Sequence, residues 1–283
     1  MPTVSLIPLL YLLGWLIVQP LSLVWNGASG DQISLLSTVI SFLLLLLLLP
    51  SWIKQRWQQP HPWLALGING TGQAAQSSIL LPLRKGLGWA LGLLGLIVIP
   101  LLLGTWGRWL GDLSSGEVLN ALMLLFGVGL AEELIFRGWL WGELNQLVAP
   151  KWAVIGQAAV FSLVHCRFNL GWWPMISLLL GLFLLGLALA VRRRIDNGSL
   201  WGCVGLHGGL VGGWFLLKAG LIQISPNAPA WLVGPGDLDT NPLGSLVAII
   251  ALLSLLLFQL TALARARVPL RGARNASSKG ATP

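Results

Sequence analysis

Charge is scarce in this sequence. Only 9% of its 283 residues are Asp, Glu, Lys or Arg, whereas 55% are hydrophobic. That balance excludes an ordinary soluble domain, because the apolar residues run together instead of alternating with polar ones. Cysteine is scarce too: Cys166 and Cys203 supply neither a disulfide framework nor a Cys-x-x-Cys pair. The N-terminus lacks a basic segment followed by a small-residue cleavage site, so residues 4–25 read as a retained first span. What the chain has in quantity is long apolar runs such as ISFLLLLLLLP. Lipid permits only helices or closed barrels, since unpaired backbone groups are too costly in hydrocarbon. Barrel strands would alternate, and these runs do not. The expected fold is all-α, a polytopic membrane protein of about eight transmembrane helices.

The expected spans are roughly 4–25, 33–50, 86–104, 117–139, 151–166, 172–191, 199–217 and 244–264, each near the ~20 residues that a bilayer needs. An even count puts both termini on one side. With that side taken as inside, every Lys and Arg except Arg108, Arg167 and Lys218 falls inside. This bias orients the chain with both termini cytoplasmic, in the plasma (inner) membrane or an internal membrane of a bacterium. It also explains the net charge of +8 without nucleic acid. The Asn-x-Ser/Thr triplets at Asn69, Asn197 and Asn275 fall inside and are not read as glycosylation sites. The connector 51–85 is expected to lie partly along the membrane surface, with Trp residues as anchors. The connector 218–243 is rich in Pro and Gly. No internal repeat is visible. The organisation reads as N-terminal helices and connector over 1–116, a helical core over 117–217, an outer loop and last helix over 218–264, and a basic disordered tail over 265–283.

Against this background, GLAEELIFRGWL (129–140) stands out. An ionisable residue inside a span is costly and marks a functional hypothesis. Glu132, Glu133, His165 and His207 all fall inside spans, and Arg137 lies near the inner end of its helix. Glu133 and Arg137 are four apart on one helical face and are expected to pair. Glu132 lies about 100° around the helix, beside Val128, Gly129 and Phe136, with the glycine giving room. It is left for a general base's work. The hairpin between the fourth and fifth spans closes near residue 148 and sets Glu132 level with His165, a pair able to hold and deprotonate a water. His207 lies among glycines spaced four apart (205, 209, 213 and 208, 212), which lets helices approach closely. Its imidazole there suits donation to a developing oxyanion. Cys203, four residues before His207, reads as a small buried thiol, and His61 as a surface loop residue.

These residues also carry a resemblance. EELIFR matches the E-E-x-x-x-R motif of the CAAX protease and bacteriocin-processing family, FSLVH (161–165) its F-x-x-x-H motif, and His207 its later histidine. The resemblance covers roughly 117–217. It implies a type II CAAX prenyl endopeptidase-like intramembrane glutamate endopeptidase. Glu132 and His165 would activate water, His207 would stabilise the oxyanion, and Glu133 and Arg137 would support them. It implies a membrane-protein or lipidated-peptide substrate and no cofactor. The chain departs from the family at Val211, where H-x-x-x-N would place an Asn. Either another donor substitutes, such as Trp214 on the same face, or catalysis is weakened. Three alternatives compete: a zinc metalloprotease using Glu132, His165 and His207 as ligands, a non-enzymatic membrane scaffold or immunity-type protein, and a proton-relay transporter.

Overall fold

The computed structural model describes residues 2–25, 27, 29–68, 77–236 and 241–267. Seven helices are long and apolar enough to cross a membrane, so the protein is a multi-pass, all-helical membrane protein. Helices α1 (Pro2–Val24) and α2 (Gly30–Arg56) form a hairpin. Ser29 caps α2 reciprocally with Gln32, satisfying two donors that the helix start leaves open. Gly14 of α1 lets α2 approach: a Cβ there would come within 2.6 Å of the Ser37 carbonyl. The short α3 (Pro62–Leu66) precedes α4 (Ser77–Leu103). The all-α expectation needs one small amendment. Strands β1 (Gly107–Trp109) and β2 (Ile222–Ile224) pair antiparallel, with Arg108 opposite Gln223.

A continuous 33-residue helix, Ser115–Leu147, follows. It opens at Ser114, which caps it reciprocally with Glu117. It is not uniform. The α-helical parts α5 (Ser115–Leu122), α6 (Gly129–Glu133) and α7 (Trp141–Leu147) alternate with π-helical stretches at Met123–Val128 and Leu134–Leu140. Next come α8 (Pro150–Leu163), a 3₁₀ turn at Phe168–Leu170, α9 (Trp172–Ile195), and α10 (Trp201–Leu216) with a π-helical extension to Leu221. The short α11 (Ala230–Val233) and a 3₁₀ turn at Pro242–Gly244 lead to α12 (Leu246–Arg267).

The fifth expected span requires correction. Helix α8 has 14 residues, about 21 Å at 1.5 Å per residue, short of the ~30 Å hydrocarbon core. Yet both ends of the described chain lie at one end of the bundle. Thr3 hydrogen-bonds Glu143 of α7, and Leu263 of α12 lines a cavity with Trp141, Arg193 and Arg194. Helix α8 is thus not among the seven spans, and residues 164–171 continue from it with largely irregular, mostly exposed backbone. This break delivers His165.

The connector 51–85 also differs. Helix α2 continues to Arg56, and its end is tied into the bundle. Glu143, with no exposed side-chain surface, accepts hydrogen bonds from Thr3 Oγ1 (2.7 Å), Trp52 Nε1 (2.8 Å), Trp57 Nε1 (2.7 Å) and Arg56 Nη2 (2.9 Å). Trp52 and Trp57 are donors to a buried carboxylate, beyond any anchoring at the membrane surface. Gly142 leaves room for the Trp57 ring. Residues 69–76, 237–240 and 268–283, including Asn69, Asn275 and most of the expected disordered tail, lie outside the described residues.

Helix α10 is the hub. Its glycines act on two faces, as small-residue spacing permits. A Cβ at Gly209 would come 2.8 Å from the Ala90 Cβ of α4, and one at Gly212 would come 2.6 Å from the Ala121 carbonyl of α5. The hub is thereby clasped between α4 and the long helix.

Candidate active site

The α-helical turn α6 holds Glu132 and Glu133 between two π-helical stretches. π turns are rare and recur at functional sites, because the extra residue re-aims side chains. The turn meets α10 where neither backbone carries a side chain. A Cβ on Gly129 would sit 2.8 Å from the Gly208 Cα. The room expected beside Glu132 is thus taken up by the α10 backbone, which brings His207 against both glutamates.

Five residues singled out in the sequence come together here. Glu133 Oε1 accepts from Arg137 Nη1 at 2.9 Å and meets His207 Nδ1 at 2.8 Å. The expected Glu133–Arg137 pair exists, but Glu133 has a second task in holding His207. Glu132 Oε2 lies 3.6 Å from His165 Nε2 and 3.9 Å from His207 Nε2. Those separations are too long for direct hydrogen bonds. Among the described residues this buried oxygen has no hydrogen-bond partner. Glu132 and His165 are thus level, as the hairpin spacing requires, and His207 joins them from α10.

Exposure divides the cluster. The side chains of Glu132 and His165 are 25% and 31% exposed, His207 6%, and Glu133 and Arg137 not at all. One layer is accessible and the layer beneath it is sealed.

The tautomers follow from the partners. His165 Nδ1 lies 2.7 Å from the Phe161 carbonyl oxygen, which can only accept, so Nδ1 carries a proton and neutral His165 presents a lone pair at Nε2. His207 Nδ1 likewise donates to the Glu133 carboxylate. Trp214 is not needed for this, because Glu133 accepts the hydrogen bond from Nδ1–H.

Phe161 is a central residue whose role the sequence did not disclose. Its ring contacts those of His165 (4.9 Å) and His207 (5.4 Å), and the Arg137 guanidinium carbon lies 3.9 Å from its centroid. Its signal was the F-x-x-x-H spacing, which on a helix puts the Phe161 carbonyl within reach of His165. Arg193 is a second. It donates to the backbone carbonyls of Arg137, Ala65, Leu66 and Gly198 and braces the helix just below the site. Gln157 and Ser162 do not reach the imidazoles. They donate to the Gly186 and Leu179 carbonyls and pin α8 to α9. Cys203 is buried, with its thiol on the Leu189 carbonyl at 3.2 Å.

Fold and cluster together define a helical membrane protein with a carboxylate–histidine site in its interior. Residues 114–212 match the family model of the type II CAAX prenyl endopeptidase Rce1-like proteins, and the chain carries such a domain there. That match covers about a third of the chain. Residues 1–61 match a domain of unknown function, DUF8676. No curated protein and no solved structure matches the chain.

Proposed function

We propose that the protein is an intramembrane endopeptidase in which Glu132 and His165 activate a water and His207 stabilises the oxyanion. The observation that supports this most is the convergence of two imidazole Nε2 atoms on one buried, partnerless carboxylate oxygen. The reaction places a water among these three atoms. Glu132 takes its proton as the oxygen attacks the peptide carbonyl carbon. The lone pair of His165 accepts the water's other hydrogen and orients it. The carbonyl oxygen becomes an oxyanion. Protonated His207, held at Nδ1 by Glu133, offers it the Nε2–H. Collapse breaks the C–N bond, and the proton on Glu132 passes to the leaving amine. Val211 is compatible with this scheme, because Glu133 orients His207 where the family uses an Asn.

The substrate is a membrane protein or lipidated peptide cut near the cytoplasmic face of a bacterial membrane, with both termini on that side. The basic ends of α9 and α12 support the orientation. Quantitative proteomics of membrane peptides from cells carrying the wild type or Glu132→Ala tests the reading. Peptides with new termini should vanish in the variant. Identical peptide sets would refute it.

A zinc-dependent reading has one observation in its favour. Both imidazoles find an acceptor at Nδ1, as metal-binding histidines require. The sequence, however, carries no compact H-E-x-x-H motif, and the three ligands would come from three separate segments of the chain. Water activation is therefore preferred.

A further inference from the structure

We propose that the basic end of the bundle binds the phosphate headgroup of an anionic phospholipid. A cavity of about 790 Å³ opens there, lined by Trp141, Asn145, Arg193, Arg194, Asn197 and Leu263 among others. It is of the size that accommodates a small ligand. It is separate from the carboxylate–histidine cluster, and the inference does not rest on the proposed proteolysis.

Its charge is the first argument. Two guanidinium groups line it and no acidic side chain does. The hydrogen bonds of Arg193 all go to neutral carbonyls, those of Arg137, Ala65, Leu66 and Gly198. The nearby carboxylate of Asp196 is engaged by Arg192, whose Nε lies 2.6 Å away.

The second argument is an orphaned donor. Trp141 is 6% exposed, and its indole N–H has no acceptor among the described residues. The Arg193 and Arg194 guanidinium carbons lie 5.5 and 5.3 Å from the Trp141 ring centroid. The indole donor and both cations therefore belong to one cluster. A phosphate oxygen would satisfy the indole and meet the guanidinium groups, which recognise phosphate through charge-assisted hydrogen bonds. The amides of Asn145 and Asn197 add donors at the rim. Asn197 and Gly198 both have positive φ, 53° and 90°, and the Gly198 N–H closes the end of α9 on the Arg193 carbonyl at 2.8 Å. This fixes the wall that carries the two arginines.

The third argument selects a lipid over a free anion. The cavity lies where α9 and α12 leave the apolar layer, next in sequence to Lys151 and Arg265. Basic pockets between helix ends at this level suit anionic headgroups. Leu263 supplies an apolar wall for the glycerol and the start of an acyl chain.

The test uses the purified full chain in detergent, titrated with short-chain phosphatidylglycerol, phosphatidylcholine or inorganic phosphate. Thermal stability and retained lipid by native mass spectrometry are the readouts. Phosphatidylglycerol should raise Tm and remain bound, and the other two should not. Arg194→Gln should weaken its apparent Kd by about tenfold, the loss of one charge-assisted hydrogen bond. Trp141→Phe keeps the ring, removes only the N–H, and should weaken binding by a smaller but measurable factor. Equal effects of phosphatidylglycerol and phosphatidylcholine would overturn the proposal, as would wild-type affinity in both variants. Inorganic phosphate acting as strongly as the lipid would overturn the lipid assignment.

Discussion

Arg137→Ala tests the sealed layer beneath the proposed site. In the wild type, Arg137 Nη1 is bound to Glu133 Oε1 at 2.9 Å with neither side chain exposed. Removing the guanidinium leaves a buried carboxylate whose remaining partner is His207. Breaking a buried pair by deleting one member costs about 3–5 kcal/mol. The lost stacking on Phe161 lies within that figure, since the same truncation removes both. At roughly 2 °C per kcal/mol for a chain of this size, Tm should fall by about 6–10 °C. Replacing both residues with Leu removes the stranded charge and should restore much of the loss. Activity should behave differently. The double variant leaves His207 Nδ1 without its acceptor, so catalysis should stay low although stability returns. Thermal melts and peptide cleavage on wild type, Arg137→Ala, Glu133→Leu and Glu133→Leu/Arg137→Leu provide the cycle. Additive stability effects would refute the pairing. Wild-type cleavage by the double variant would refute the role of Glu133 in holding His207.

Three further outcomes are expected. Glu132→Gln should lower turnover by about 10²–10⁴, as loss of a general base does, with insertion and Tm little changed; full turnover in a reconstituted assay would remove Glu132 from the mechanism. Chelation should leave cleavage intact and purified protein should carry well under one zinc per chain, whereas stoichiometric zinc with zinc-restored cleavage would establish the metal-dependent reading. Gly208→Ala should lower both Tm and activity, because a Cβ there meets the Leu125 backbone, whereas Gly92→Ala meets nothing within 4 Å and should be neutral; equal Tm values for the two would disprove the close helix contact.

Much of this was legible in the sequence for a physical reason: it depended on local spacing. Glu133 and Arg137 pair because residues four apart share a face. Glu132 and His165 meet because two helices joined by a tight turn keep their heights in step. The Glu133–His207 contact was not legible. It depends on the rotation of α10 about its axis, set by the contact of Gly208 with Gly129 rather than by any polar pattern. The shortness of α8 was hidden as well. The apolar run from 151 to 166 looks like a span, and only the packed structure shows the helix stopping at Leu163 so that the backbone can present His165. Glu143 does not stand out in the sequence, because WGELNQL reads as the polar end of a helix and its partners lie 86 to 140 residues away.

That carboxylate has a consequence for how the chain could have been assembled over time. Among the described residues, every side-chain donor that reaches Glu143 comes from Thr3, Trp52, Arg56 or Trp57, within the segment that matches the domain of unknown function. Glu143 itself lies within the endopeptidase-like segment. The two segments meet chemically at one acidic group. A recombination exchanging the first 61 residues for another hairpin would strand a buried charge, at a cost of about 3–5 kcal/mol. Such an exchange survives only if the newcomer brings equivalent donors or Glu143 becomes apolar in the same lineage. The two segments are separable modules in sequence but a single unit of inheritance in the membrane.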